Sequence, residues 1–175
     1  MTLPNAPLGR LLIIAGSDSG GGAGIQADIK AATMMGAYAM TAVTAITVQN
    51  TLGVTAVHPI PLDILAAQAR AVLGDIGADA VKTGMLGSVE TVETVAALLD
   101  EAAVPAVIDP VMIAKGGAAL LENRAIEAVR SLMVPRAALL TPNAPETEAL
   151  TGITVETTDD LRRAGIEEAM AAVVC

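Results

Sequence analysis

The strongest constraint on the fold is an alternation. Short apolar runs take turns with helix-length amphipathic stretches along the chain. Residues 11–15, 38–48, 79–82, 104–108 and 137–140 read as strands, with 54–57 as a short extra one. Residues 23–35, 62–73, 89–102, 124–132, 146–150 and 159–170 read as helices. Such an order predicts an α/β fold built on a mostly parallel sheet. The apolar fraction is 53%, with no Phe, no Trp and one Tyr. Alanine-rich and β-branched sequences of this kind suit parallel strands covered by helices on both faces. The chain shows no linker and no repeat, so residues 1–175 read as a single domain.

Charge and cysteine content exclude several functions. Ten basic residues against nineteen acidic ones give a net charge of −9. No basic stripe exists, so nucleic acid is not an expected partner. A single cysteine rules out an intramolecular disulfide framework and fits a reducing compartment. No apolar run approaches the ~20 residues of a membrane-spanning helix. Residues 1–7 have neither a basic flank nor a signal-peptide core. The expectation is a cytoplasmic protein with no membrane partner.

The polar residues gather where strands end. Gly16, Ser17 and Asp18 follow the first strand, and Gln49 and Asn50 follow the second. Lys82, Thr83, Gly84 and Met85 follow another, Asp109 to Met112 the next, and Thr141, Pro142 and Asn143 the last. Ligands of open parallel sheets bind at the carboxyl ends of the strands. The pattern therefore predicts one site on one edge of the sheet. The alternative is that these loops are polar only because they are solvated.

The first of these loops is rich in glycine: Gly16-Ser17-Asp18-Ser19-Gly20-Gly21-Gly22-Ala23-Gly24-Ile25-Gln26-Ala27-Asp28. A Walker-type phosphate loop needs Lys followed by Ser or Thr after its last glycine. Here Ile25 and Gln26 stand there instead. Residues 22–27 have the G-x-G-x-x-A spacing of a dinucleotide site, which also needs an acid about 20 residues on. No Asp or Glu occurs from residue 30 through 62, so that reading fails too. What remains is a loop whose glycines let the backbone approach a ligand. Asp28 has two readings. It stabilises a helix start through the macrodipole, or it accepts hydrogen bonds from a ligand.

Five stretches, taken together and in order, carry a resemblance. They are residues 15–28; Thr44-Ala45-Ile46-Thr47-Val48-Gln49-Asn50-Thr51; Val81-Lys82-Thr83-Gly84-Met85-Leu86; Val107-Ile108-Asp109-Pro110-Val111-Met112; and Leu140-Thr141-Pro142-Asn143-Ala144-Pro145-Glu146. They resemble the hydroxymethylpyrimidine/phosphomethylpyrimidine kinases of thiamine biosynthesis. The resemblance implies a ribokinase-like fold. It implies ATP- and Mg²⁺-dependent phosphorylation of 4-amino-5-hydroxymethyl-2-methylpyrimidine and then of its monophosphate. By the same resemblance Gly16, Ala23, Asp28, Gln49, Met85 and Val111 surround the pyrimidine. The residue types agree: Gln49 offers both a donor and an acceptor to an aminopyrimidine edge, and Met85 and Val111 suit its ring and methyl group. Met85 has the plainer reading of a gap-filling side chain. Asn143 and Glu146 match the family's Asn-x-x-Glu motif, near Mg²⁺ and the nucleotide phosphates. Asp109 and Glu146 would then serve the metal, partly through water; otherwise Glu146 is a solvated residue of a helix start. A small-molecule pyrimidine, ATP and a second copy of the chain in a homodimer are the expected partners. His58, the only histidine, reads as a loop or edge-strand residue, the alternative being a general base or metal ligand; the acids Asp159, Asp160, Glu167 and Glu168 read as a solvated helix face.

The sequence departs from the family in its last part. The family's Lys-Gly-Gly segment and its Gly-Thr-Gly-Cys motif, which carries the catalytic cysteine, come after the Asn-x-x-Glu motif, and neither follows residue 146 here; the Lys-Gly-Gly at residues 115–117 lies ahead of that point. Cys175 follows Ala172-Val173-Val174 and takes no catalytic role. The fold is thus expected to be C-terminally incomplete. A general base is worth about 10²–10⁴ in rate, and anion-stabilising amides about 10²–10³ more. The 175 residues alone are expected to be a weak or inactive kinase, with Asp28, Lys82 and Asp109 the only candidates for a base. Alternatives are a pyridoxal kinase and a non-catalytic pyrimidine-binding fragment.

Overall fold

The computed structural model describes residues 7–112 and 123–173; Cys175 lies outside them. Five strands form one parallel sheet: β1 (Arg10–Ala15), β2 (Tyr38–Val43), β5 (Ala80–Thr83), β6 (Ala106–Ile108) and β7 (Leu139–Leu140). Their order across the sheet is β2-β1-β5-β6-β7. A second, two-stranded antiparallel sheet joins β3 (Ala45–Asn50) to β4 (Gly53–Pro59). The helices are α1 (Gly24–Met34), α2 (Leu62–Asp75), α3 (Val89–Ala102), α4 (Asn123–Ala128), α5 (Ala144–Thr151) and α6 (Thr158–Val173). The chain runs left from β1 to β2 and then returns to the right of β1 at β5. Such a reversal opens a crevice at the carboxyl ends of the two central strands.

β1 shows why the sheet is covered on both faces. Successive strand side chains point to opposite sides. Leu12 and Ile14 join the main core with Leu65 of α2 and with Val92, Val95 and Leu99 of α3. Ile13 and Ala15, equally buried, point the other way, where α1 packs on β1 and β2. In α3 the buried positions recur at helical spacing, and each fully buried Val or Leu contributes about 1.5–3 kcal/mol. Ser88 caps α3 by accepting from the Thr91 N–H at 3.2 Å.

Two expectations need correction and a third needs its bounds extended. Residues 38–48, expected as one strand, are two strands in different sheets. Buried Thr44 is the joint: its N–H donates to the Ala15 carbonyl (3.0 Å), its carbonyl accepts from Ile60 N–H (2.9 Å), and its hydroxyl donates to the Met85 carbonyl (2.7 Å). The extra strand expected at 54–57 is present and longer, as the seven-residue β4 paired with β3. The helix expected at 124–132 is α-helical only to Ala128, then widens into a π-turn at Val129–Met133.

Candidate functional site

The glycine loop folds around an anion of its own. Asp18 is 4% exposed. Its carboxylate accepts from the N–H groups of Gly20 (2.8 Å), Gly22 (2.9 Å) and Ala23 (2.8 Å). The Asp18 N–H in turn donates to the side-chain oxygen of Gln26 at 2.7 Å. Burial pushes the Asp18 carboxyl up, but the N–H donors of Gly20, Ala23, Gly22 and Gly21 outweigh it and hold it below the usual carboxylate range. The Lys30 ammonium clasps the loop from outside through the Gly21 carbonyl (2.7 Å). Gly24 starts α1 at φ +55°, and a Cβ there would lie 2.5 Å from the Gly16 carbonyl oxygen. Only glycine fits that position.

The same loop is sewn to β3. The Ser17 N–H donates to the Ala45 carbonyl (2.9 Å), and the Ser17 hydroxyl accepts from Thr47 N–H (2.9 Å). The Ser19 hydroxyl accepts from Gln49 N–H (2.8 Å) and donates to the Gln49 carbonyl (2.6 Å). The β3–β4 register slips between Val48 and Gln49, leaving Thr55 as the extra residue of a bulge. The Thr55 hydroxyl donates to the Val48 carbonyl at 3.1 Å. Gln49 follows Ala45 and Thr47 on the inward face of β3 and lines the cavity beneath the hairpin.

That cavity has a volume of about 510 Å³ and lies at the carboxyl ends of β1, β5 and β6. At its floor the Lys82 ammonium sits 2.8 Å from Asp28 and 3.3 Å from Asp109. These three side chains are 19%, 22% and 31% exposed, respectively. Met85 packs against Gly16 so closely that a Cβ on Gly16 would collide with the Met85 methyl group.

Gly16, Ala23, Asp28, Gln49, Met85, Val111 and Asp109 all line this one cavity. Asn143 and Glu146 do not; they stand at the start of α5, behind the loop that carries Asp109. Glu146 is 4% exposed, so the expectation of a solvated helix start is overturned. Its carboxylate accepts from Asn143 N–H (2.9 Å) and Met112 N–H (3.3 Å), while the Asn143 side chain accepts from Glu146 N–H (3.0 Å). The pair is a capping box that also anchors the loop after β6. Asp28 lies beyond the first turn of α1, which holds no acid, so the macrodipole reading gives way to the ion pair with Lys82. Gln49 and Asn50 belong to the hairpin rather than to the end of a strand of the main sheet.

Sequence reasoning missed two features. One is Asp18, whose signal was its place two and four residues before glycines, the spacing of an Asx-type turn. The other is the ion pairing of Asp28, Lys82 and Asp109, which were named as candidates for a base but could not be joined from sequence because they come from three separate segments. No group of three or more His, Cys, Asp or Glu side chains able to hold a metal occurs among the described residues. No helix among them is long and apolar enough to cross a membrane.

Comparison with known proteins places this geometry in a family. A family model described as phosphomethylpyrimidine kinase matches residues 18–174. A hydroxymethylpyrimidine/phosphomethylpyrimidine kinase of Bacillus subtilis (strain 168) is 51% identical over 156 residues, covering 89% of this chain. The chain spans 58% of that relative's length. The crystal structure of phosphomethylpyrimidine kinase from Clostridium difficile 630 matches with a TM-score of 0.87 at 44% identity, over 93% of this chain and 71% of that one. Pyridoxal kinase from Staphylococcus aureus in complex with pyridoxal matches with a TM-score of 0.86 at 33% identity, over 95% of this chain and 61% of that one. The fold is ribokinase-like, as the five ordered motifs implied, and the chain belongs to the phosphomethylpyrimidine kinase family.

Proposed function

We propose that the chain carries the pyrimidine-binding part of a kinase that transfers phosphate from ATP to 4-amino-5-hydroxymethyl-2-methylpyrimidine and then to its monophosphate. One observation carries the reading: Asp28, Gln49, Met85 and Val111 converge on one cavity in a chain of this family. Gln49 reads the aminopyrimidine edge with its paired donor and acceptor. Asp28 accepts from the hydroxyl or the amine. Met85 and Val111 pack on the ring.

ATP approaches from outside this cavity. The glycine loop does not cradle its phosphates, because Asp18 already holds the loop's N–H groups. Mg²⁺ takes one or two carboxylates plus waters and phosphate oxygens. Asp109, partly exposed in the cavity, fits such an ion. Buried Glu146 serves by anchoring the Asp109 loop and contacts the ion at most through water. Mg²⁺ would supply charge neutralisation of the nucleotide phosphates.

Turnover by these residues alone is weak. Each carboxylate that lines the described cavity is already held: Asp18 by backbone N–H groups, Asp28 and Asp109 by Lys82. None is free to take the proton of the alcohol. The protein acts in the cytoplasm, in keeping with its single cysteine. A second copy of the chain covers the outer face of the hairpin, where Ile46 and Val48 are 47% and 58% exposed.

The test is calorimetric titration of the chain with the pyrimidine alcohol and with pyridoxal. Mass spectrometry of the same samples with ATP and Mg²⁺ added reads turnover. Saturable pyrimidine binding that Asp28→Ala weakens at least tenfold supports the reading. Tighter binding of pyridoxal overturns it in favour of the second ligand, which the similarity to the pyridoxal-bound kinase makes the leading competitor.

A further inference from the structure

Lys82 has a role that the reading above does not use. It is the one basic side chain among the described residues that line the cavity. Its ammonium lies over Gly84, where a Cβ would come within 3.2 Å of the nitrogen. An ammonium has three N–H donors and accepts nothing. One of those donors is given to Asp28 (2.8 Å), and the Asp109 carboxylate lies 3.3 Å away as a second ion-pair partner. Donor capacity remains for a ligand.

The charges then set which ligands the floor tolerates. Two carboxylates and one ammonium leave a net charge of −1 on a patch that is only partly exposed. Solvent and salt screen such a patch incompletely. A neutral alcohol feels that charge only through its hydrogen bond to Asp28. A phosphate monoester is not: without Lys82 it would face two carboxylates and no cation.

We propose that Lys82 is the specificity-determining residue for the phosphorylated form of the ligand, donating an N–H not given to Asp28 to a phosphate oxygen while the ion pairs with Asp28 and Asp109 hold it in place. The proposal deepens the pyrimidine-kinase reading and rests on it. In this scheme one cavity accepts an alcohol and its monophosphate in turn. The ammonium balances the added charge, and Asp109 limits how tightly the phosphate is held.

The experiment is calorimetric titration, without nucleotide, of the wild-type chain, Lys82→Met, Lys82→Arg and Asp109→Asn. The ligands are 4-amino-5-hydroxymethyl-2-methylpyrimidine and its monophosphate. Lys82→Met is expected to weaken the monophosphate by about tenfold or more, the range for losing a charged hydrogen bond. The alcohol should change by no more than about threefold. Lys82→Arg keeps the charge and should restore most of the monophosphate affinity. Asp109→Asn removes one negative charge and should tighten the monophosphate relative to the alcohol. A packing role for Lys82 produces no such reversal of sign. Equal losses for both ligands in Lys82→Met, or a monophosphate weakened relative to the alcohol in Asp109→Asn, overturn the assignment. Should Lys82→Met not fold, Asp109→Asn still decides by the direction of its effect. A wild-type chain that binds neither ligand overturns the proposed function and this inference with it. Binding of both with an unchanged ratio in the variants overturns Lys82 alone.

Discussion

Asp18 and Asp28 belong to one glycine-rich stretch and do opposite work. Asp18 turns inward, is 4% exposed and is surrounded by backbone N–H groups of its own loop. Asp28 faces the cavity, is 22% exposed and meets a side chain from β5. A nest of backbone N–H groups ordinarily attracts an anion such as phosphate. Here the protein has supplied the anion itself. The loop is therefore a rigid wall, and ligand recognition passes to the side chains that the wall positions.

The comparison breaks most visibly by emptying the nest. Asp18→Ala leaves the N–H groups of Gly20, Gly22 and Ala23 without their acceptor. At about 1–3 kcal/mol for a buried unsatisfied group, partly offset by water, the expected loss is about 3 kcal/mol in urea unfolding. Gly24→Ala attacks the same wall through sterics. It forces a side chain into the left-handed region and against the Gly16 carbonyl, for an expected loss of about 2–3 kcal/mol. Either variant with wild-type stability would show that the loop is not held as described. Asp28→Asn should do the reverse. Lys82 keeps Asp109 as a partner, and a partly exposed ion pair is worth about 1 kcal/mol or less. Stability should barely move, while affinity for the pyrimidine alcohol falls about tenfold by calorimetry. A large loss of stability in Asp28→Asn would make the two aspartates alike and remove the distinction.

The sequence made one of these aspartates easier to read than the other. Apolar runs and helical periodicity placed β1, β5, β6 and α3 to within a few residues, because local pattern and burial agree there. The cluster of polar strand ends pointed to the edge of the sheet where the cavity lies. The hairpin was not legible. Residues 38–48 are continuously apolar or Thr-rich, and nothing local at Thr44 announces that the chain leaves the sheet. Its bonds to Ala15, Ile60 and Met85 are tertiary. The bulge at Thr55 has no glycine of its own to mark it. Lys82 was visible as a polar residue at a strand end, but its two partners arrive from α1 and from the loop after β6.

Acid unfolding gives the finest and smallest test, with a third aspartate as the control. The Asp79 carboxyl is lowered to about 2, first by the hydrogen bond from the Arg10 side chain and then by the Arg10 backbone N–H, with burial opposing. Asp18 is lowered by backbone N–H groups alone, against burial. In both cases the folded-state value lies below the ordinary 3.8. Each group therefore contributes stability that is fully present above about pH 4 and is lost as pH falls through its folded value. For Asp79 that window runs from 3.8 down to about 2. The Arg10–Asp79 pair is 40% and 52% exposed, so added salt should shrink its contribution. The Asp18 nest, made of backbone dipoles in a buried setting, should be nearly indifferent to salt. Urea unfolding from pH 5 to 2, at low and high salt, is the measurement. Asp79→Asn should flatten the low-salt slope slightly and reduce its salt dependence, the Arg136–Asp100 and Arg70–Glu101 pairs carrying the remainder. Asp18→Asn should flatten the slope equally at both salt concentrations. A salt-sensitive Asp18 contribution would mean that side-chain charge, not the loop's own N–H groups, holds that carboxylate.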